Sequence, residues 1–426
     1  MEVLHYPRLG ETLYRQRLHN GLTVMVVPRP GFTKKLAYLA TNFGAIHQEF
    51  DLDGIHHVVP AGVAHYLEHK LFDMPDRDIT AEFTALGAVP NAFTTYDMTA
   101  YHFSCTENFY ESLQLLLEMV FTPCFTKESV EREQGIIGQE IVMNGDSPES
   151  RVFEQLMEGM YTLHPVRKAI LGTAESIANI TPEILHLCHR AFYRPDNMIL
   201  CVVGDVEPDK VAALAQTLSG PVGPAVCARR SWPETTGAAR AYVSADMEVA
   251  MPMFQLGFKC QQEEKGAAAA MQEFIGDLAA EALFGESSPL YQELYQKGLI
   301  DSAFGGGFET VEGMAMLTAY GDSWEPETVQ RAITQQARLL VRDGIGETDF
   351  LRMKRSSLGR RIRGLDSFDS VCFRLCAYYF DGYDYFRFPE LYEKIQKTHL
   401  QVFLEQVVTE RGMCLSVIRP LKEERK

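Results

Sequence analysis

Apolar residues near the start of the chain fall into short runs with the period of strands. Tyr14 to Leu18 and Leu22 to Val27 flank His19-Asn20-Gly21. Asn-Gly supplies the positive φ angles of a tight turn, so the pattern predicts a β-hairpin. Leu36 to Phe43 forms a third strand-like run after the break at Pro28-Arg29-Pro30-Gly31. From Gly62 to Asp73 the period changes, with Val63, Leu67 and Leu71 at helical spacing and Pro75 beyond the end. Asn91 to Cys105 reads as one or two strands, and Glu107 to Val120 and Lys127 to Met143 read as helices. Thr181-Pro182-Glu183 marks a further helix start, and Met198 to Val203 a buried strand.

The periodicity lapses between Leu218 and Ala239, where Gly220, Pro221, Gly223, Pro224, Pro233 and Gly237 accumulate. The order of elements then recurs. Tyr242 to Lys259 is strand-like, Ala267 to Phe284 is a long helix, Met314 to Tyr320 is strand-like, helices follow, and Cys414 to Ile418 is a last strand. This is an internal duplication visible in element order rather than residue identity. The expected organisation is α+β, with one domain over residues 1–218, a linker over 219–240 and a homologous domain over 241–426.

Composition narrows the function classes. With 426 residues, 46% of them hydrophobic and 23% charged, the chain is long enough for two or more cores and too apolar to be disordered. Forty basic against 57 acidic residues leave a formal charge of −17, which argues against general nucleic-acid binding. The basic run Arg352, Lys354, Arg355, Arg360, Arg361 and Arg363 reads as a solvated helix face. No apolar stretch approaches the roughly 18 residues of a membrane span, and the N-terminus lacks a basic region followed by an apolar one. Nine cysteines, scattered without a CxxC, read as reduced core thiols of a cytoplasmic protein.

Within the helix from Gly62 stands His65-Tyr66-Leu67-Glu68-His69. Positions i, i+3 and i+4 share one side of a helix, so two imidazoles and a carboxylate face one point. Two imidazoles one turn apart can meet a single Zn²⁺ at about 2.0–2.1 Å, with Glu68 placed to take a proton from water. The spacing is the inverted HxxEH zinc signature. A third ligand is needed, and a downstream helix offers Glu133 and Glu140, seven residues apart and on one face. Ile136, Ile137, Ile141 and Val142 around them predict a substantially buried helix, in which a carboxylate requires a cation or hydrogen-bond donors.

At these residues the chain resembles the insulinase or pitrilysin-type zinc peptidases, near in size to mitochondrial-processing-peptidase subunits and their bacterial relatives. Matching segments, in order, are the HxxEH helix, Gly87 to Thr94 with Thr99 and Tyr101, the Glu133 to Glu140 pair, Leu171 to Ile177, and Tyr193 to Met198 leading to Val203-Gly204-Asp205. The resemblance implies two duplicated α/β-sandwich domains of the mitochondrial-processing-peptidase-like metallohydrolase type. It implies His65, His69 and Glu140 as zinc ligands, Glu68 as general base and Glu133 as a carboxylate supporting a ligand or the base. It also implies that substrate adds as a strand along Asn91, Ala92, Phe93 and Thr94.

In the second half, active members carry an Arg and a Tyr in a segment like Leu-Arg then Gly-Leu-x-Tyr. The corresponding stretch here is Leu294-Tyr295-Gln296-Lys297-Gly298-Leu299-Ile300-Asp301, lacking both. The expectation is a zinc endopeptidase for peptides or small unfolded proteins, acting as the zinc-bearing subunit of a heterodimer with a homologue that carries the Arg/Tyr pair. A homodimer, a maturation protease for one precursor and a non-catalytic scaffold are the alternatives. Phe304-Gly305-Gly306-Gly307-Phe308 lacks the Gly-Lys-Ser/Thr of a phosphate loop and reads as a hinge, bulge or substrate-lining loop. His186 and His189 read as parts of an amphipathic helix, His56-His57 as a surface loop, and His102 as a strand residue without a fixed role.

Overall fold

The computed structural model describes all residues except 75–76, 221–226 and 422–426. Part of the expected linker therefore lies outside the described residues. The chain divides into two compact units, each built from separated segments. The first comprises Met1–Ile141, Ala169–Arg230 and Ile362–Arg387, and the second Val142–Lys168, Ser231–Arg361 and Phe388–Lys426.

The first unit is organised by a seven-stranded sheet of β1 (Glu2–Tyr6), β2 (Glu11–Arg17), β3 (Thr23–Pro28), β4 (Lys35–Thr41), β5 (Val89–Thr94), β6 (Thr99–Cys105) and β7 (Met198–Gly204). Their order is β1-β2-β3-β7-β4-β6-β5. All neighbours are antiparallel except β3 and β7. Asn91 to Cys105 thus resolves into two strands, with Thr94 paired to Thr99 across the Thr95–Met98 turn. On one face, β3, β4 and β6 pack with α1 (Val63–Leu71) and the helices Phe109–Phe121, Pro182–Phe192 and Pro208–Leu218 around Leu39, Leu67, Phe103, Leu116 and Leu200. The helix α2 (Lys127–Gly145) joins this side through Val130 and Ile137. The other face is covered by α3 (Phe368–Phe380), which packs on β7 and β4 although it comes from the second half of the sequence.

The second unit holds five strands, β8 (Tyr242–Met247), β9 (Met253–Cys260), β10 (Gly305–Val311), β11 (Met314–Asp322) and β12 (Met413–Pro420), in the order β8-β12-β9-β11-β10. They repeat β3-β7-β4-β6-β5 strand for strand, including the single parallel pair, here β8 with β12. The duplication expected from element order is therefore a duplication of sheet topology. The exchange of helices is reciprocal, because Pro148–Met160 of the first half packs on β12 and β9. The glycine-rich segment expected as a loop is the edge strand β10, and His56-His57 lies in a short strand, Ile55–Val58.

Candidate metal centre

The helix α1 starts where two glycines cross. Gly62 has φ +89°, and a Cβ there would collide with the Leu171 carbonyl; Gly172 has φ +75°, and its Cβ would lie 2.5 Å from the Ala61 carbonyl oxygen. Neither position accepts a side chain without strain. Ser176 completes the brace by donating to the Ala61 carbonyl at 2.8 Å. The Leu171 to Ile177 segment thus holds the N-terminus of the helix that carries His65, Glu68 and His69.

Four ties fasten α1 to the first turns of α2. The Tyr66 hydroxyl donates to the Val130 carbonyl. Lys70, fully buried, donates to the Ser129 carbonyl at 3.3 Å and forms an ion pair with Asp73. Asp73 is itself bound by Arg132 at 2.7 Å. His69 Nδ1 lies 3.0 Å from Glu133 Oε1. Only Val130, Glu133 and Ile137 of α2 are buried, while Ile136 is 51% and Val142 62% exposed. The expectation of a substantially buried helix is corrected: one face packs inward, and the apolar run spans more of the helix than that face can cover.

This arrangement brings Glu140 to the two histidines. His65 Nε2 and His69 Nε2 each lie 3.7 Å from a different oxygen of Glu140. One ligand atom from each of the three residues lies within 4.8 Å of the others. Burial, reinforced by the neighbouring His69, lowers the His65 pKa to about 4, so this ring is neutral near pH 7 with a lone pair to offer. Its Nδ1 is buried without a hydrogen-bond partner among the described residues. The Glu133 bond raises the pKa of His69, against the effect of burial. That bond also leaves His69 Nε2 as the nitrogen facing Glu140. Two imidazoles and a carboxylate around one point are a donor set that suits Zn²⁺, so the residues fit the metal.

Glu68 is buried beside them and accepts a 2.6 Å hydrogen bond at Oε2 from the Thr94 hydroxyl. Burial raises its pKa, while the Thr94 bond and His69 oppose the rise. A cavity of about 500 Å³ opens next to it, lined by Glu68, His69, Phe72, Ala92, Arg132 and Ile136.

The residues expected to bind substrate are divided by the pleat of β5, which is the edge of its sheet. Ala92 packs on the side of α1, where Thr94 meets Glu68. Phe93 turns to the other face, against Tyr38 and His102. Asn91 stands at the cavity, and its Oδ1 accepts the Ala92 N–H at 2.9 Å. In the second unit, Lys297 and Asp301 follow the helix Pro289–Gln296, and Lys297 pairs with Glu293.

Residues 59–174 match the profile of the insulinase family, peptidase family M16, and residues 179–357 match a profile described as the peptidase M16 inactive domain. A Bacillus subtilis protein named uncharacterized zinc protease YmfH is 35% identical over 427 residues, which cover 98% of this chain and 99% of YmfH. The chain belongs to the M16 peptidase family. A crystal structure of an M16-like peptidase from Alicyclobacillus acidocaldarius superposes on this M16 chain with a TM-score of 0.93 at 31% identity, covering 98% of this chain and all of that one. A protease from Helicobacter pylori shares the fold, with a TM-score of 0.81 at 21% identity over 96% of this chain and 99% of that one.

As an M16 member with relatives named zinc proteases and a His-His-Glu cluster of its own, the chain has zinc as its cofactor. The fold is the two-domain α+β architecture of M16-like peptidases. Sequence reasoning missed the Thr94 bond to Glu68 and the Tyr66, Lys70 and Arg132 ties. The tyrosine and lysine of this M16 helix lie inside the signature helix itself, and their burial at its period was the available signal.

Proposed function

We propose that this M16 peptidase is a zinc endopeptidase that hydrolyses extended peptides or small unfolded proteins. The observation that carries the reading is the convergence of His65, His69 and Glu140 ligand atoms within 4.8 Å, with Glu68 bonded to Thr94 alongside. His65, His69 and Glu140 would hold the metal. Bound there, zinc supplies Lewis acidity to the scissile carbonyl and to the attacking water. Glu68 accepts the proton of that water and passes it to the departing amine. Thr94 holds Glu68 Oε2, which leaves Oε1 for this transfer. Glu133 keeps the His69 tautomer that points Nε2 at the metal position. The open edge of β5 receives the substrate backbone as an added strand, displacing the Asn91 oxygen from the Ala92 N–H.

The stretch Leu294 to Asp301 stands where active relatives carry the Arg/Tyr segment, and it holds neither residue in its place. This supports a heterodimer in which a homologous subunit supplies that pair. All nine cysteines are free, which supports a reducing, cytoplasmic location. The test is metal analysis of the protein purified from its own cells, with the mass of the native assembly and hydrolysis of an unfolded peptide before and after chelation. Stoichiometric zinc with chelator-sensitive cleavage is expected. Absence of zinc, or cleavage indifferent to chelation, overturns the reading.

A further inference from the structure

The edge strand β5, which pairs on its outer side with no strand among the described residues, has two faces, and the metal ligands occupy only one of them. On the face covered by α3, aromatic rings run in a row across β4, β6 and β5. Tyr38 and His102 stack with centroids 4.4 Å apart, and Phe93 lies 6.0 Å from Tyr38 and 6.1 Å from His102. Phe373 of α3 ends the row, 5.8 Å from Phe93. Phe373 is 41% exposed. Val89, four residues before Phe93 and therefore on the same face of the strand, is 67% exposed. Solvent-facing apolar side chains thus border the outer edge of the sheet, on the side away from Glu68.

We propose that Phe373, together with Phe93 and Val89, is a specificity-determining shelf for an extended peptide added to β5. The proposal rests on the peptidase reading above. A strand added to this edge lies about 4.8 Å from β5 and sends alternate side chains to opposite faces. One set faces the cavity beside Glu68 and His69. The residues on either side of a cavity-filling one face the shelf, within the roughly 4.5–5.5 Å at which cross-strand side chains make contact. The occupant is an extended peptide because the shelf is continuous with this edge and this cavity. Its chemistry is apolar, because the shelf offers rings and a valine, and Asn91, which alternates with them, has its Oδ1 engaged by the Ala92 N–H. Specificity is then read on both faces of the sheet, and a helix from the second half of the sequence supplies part of it.

The test uses the protein as purified from its own cells, with any homologue that accompanies it, and a peptide whose cleavage point is mapped by mass spectrometry. Two versions carry leucine or serine at the residues flanking the one nearest the cleaved bond on its C-terminal side, and two more carry the same change one position out of phase. In one of these phases, Phe373→Ser is expected to raise KM for the leucine peptide roughly five- to tenfold more than for the serine peptide, with the effect on KM rather than kcat. Phe373→Leu restores the preference, and Val89→Lys reproduces its loss. A fluorescein-labelled leucine peptide titrated into Glu68→Gln reads the same selectivity as binding, without turnover. If Phe373→Ser and Val89→Lys, both folded by thermal unfolding, change leucine and serine peptides equally in both phases while zinc-dependent cleavage continues, the shelf is wrong and the peptidase reading stands. A wild-type protein that neither binds nor cleaves any of the peptides overturns both.

Discussion

The Thr94 hydroxyl, at the end of an edge strand, donates a 2.6 Å hydrogen bond to Glu68 Oε2, one position before the second histidine of the zinc signature. Such a bond to a charged acceptor contributes about 1.5–3 kcal/mol. It fixes one carboxylate oxygen and so orients the other. Thr94→Val keeps the shape of the side chain and removes the donor. We expect kcat to fall roughly 10- to 100-fold with zinc content unchanged and KM little altered. Thr94→Ser, which retains the hydroxyl, should recover most of the rate. Equal losses in the valine and serine variants would assign Thr94 a packing role only.

Glu68 and the three clustered ligands should separate cleanly by substitution. Glu68→Gln removes a base and leaves the ligands in place, so it should retain stoichiometric zinc and lose hydrolysis. His65→Ala and Glu140→Gln should lose zinc itself. Glu133→Gln disturbs only the partner of His69 Nδ1 and is expected to weaken zinc affinity about 10- to 100-fold. Metal content measured across a zinc-buffer series orders the four, and stoichiometric zinc in His65→Ala would refute the ligand set.

Local chemistry explains what could be read in advance. The hairpin was legible because Gly21 takes the left-handed conformation its loop requires, with φ +97°, while Asn20 keeps a negative φ; Leu18 N–H meets the Leu22 carbonyl at 2.8 Å. The two histidines and Glu68 were legible because helical spacing alone places them on one side, whereas Glu140 came from a separate helix. Glu2–Tyr6 escaped notice because a largely exposed edge strand has no apolar alternation to betray it. Gly305–Val311 is a strand by virtue of its pairing with Met314–Asp322, against the low strand propensity of three glycines. The helices expected after Tyr320 include Phe368–Phe380, but no apolar period says which sheet a helix covers. The Thr94 bond to Glu68 joins strand to helix, a relation that no one-dimensional period contains.

Lys259 offers a test of the second unit that leaves the metal site untouched. Its ammonium is buried, 2.9 Å from Glu234 Oε2, and donates to the Met160 and Gly237 carbonyls at 3.1 and 3.3 Å. The other Glu234 oxygen accepts the backbone N–H groups of Thr162, Leu163 and His164. Lys259→Met strands a buried carboxylate and two carbonyls, at a cost of about 3–5 kcal/mol. A clear fall in the unfolding midpoint, with zinc content preserved in the folded fraction, is expected. Lys259→Met combined with Glu234→Gln should recover part of the loss, and failure to do so would mean that the charge pair is not the source.

His189 should make stability depend on pH. Burial lowers its pKa to about 4, against the bond from its Nε2 to the Val120 carbonyl at 2.9 Å, and the ring stacks on Tyr193 with centroids 4.8 Å apart. In the unfolded chain an unperturbed imidazole titrates near 6.5, so between these values the unfolded state binds the extra proton. The stabilisation is therefore complete above about pH 6.5 and is lost as the pH falls toward 4. The full shift corresponds to about 3 kcal/mol, reduced to about 2 kcal/mol because the residue keeps some contact with solvent. His189→Gln, which keeps a donor for Val120 without titrating, should flatten this part of the profile. The check is the difference in urea midpoint between wild type and His189→Gln from pH 7.5 to 5, in which proton-linked loss of zinc cancels because both proteins share the metal site. Parallel profiles would show that His189 is not buried as a neutral ring.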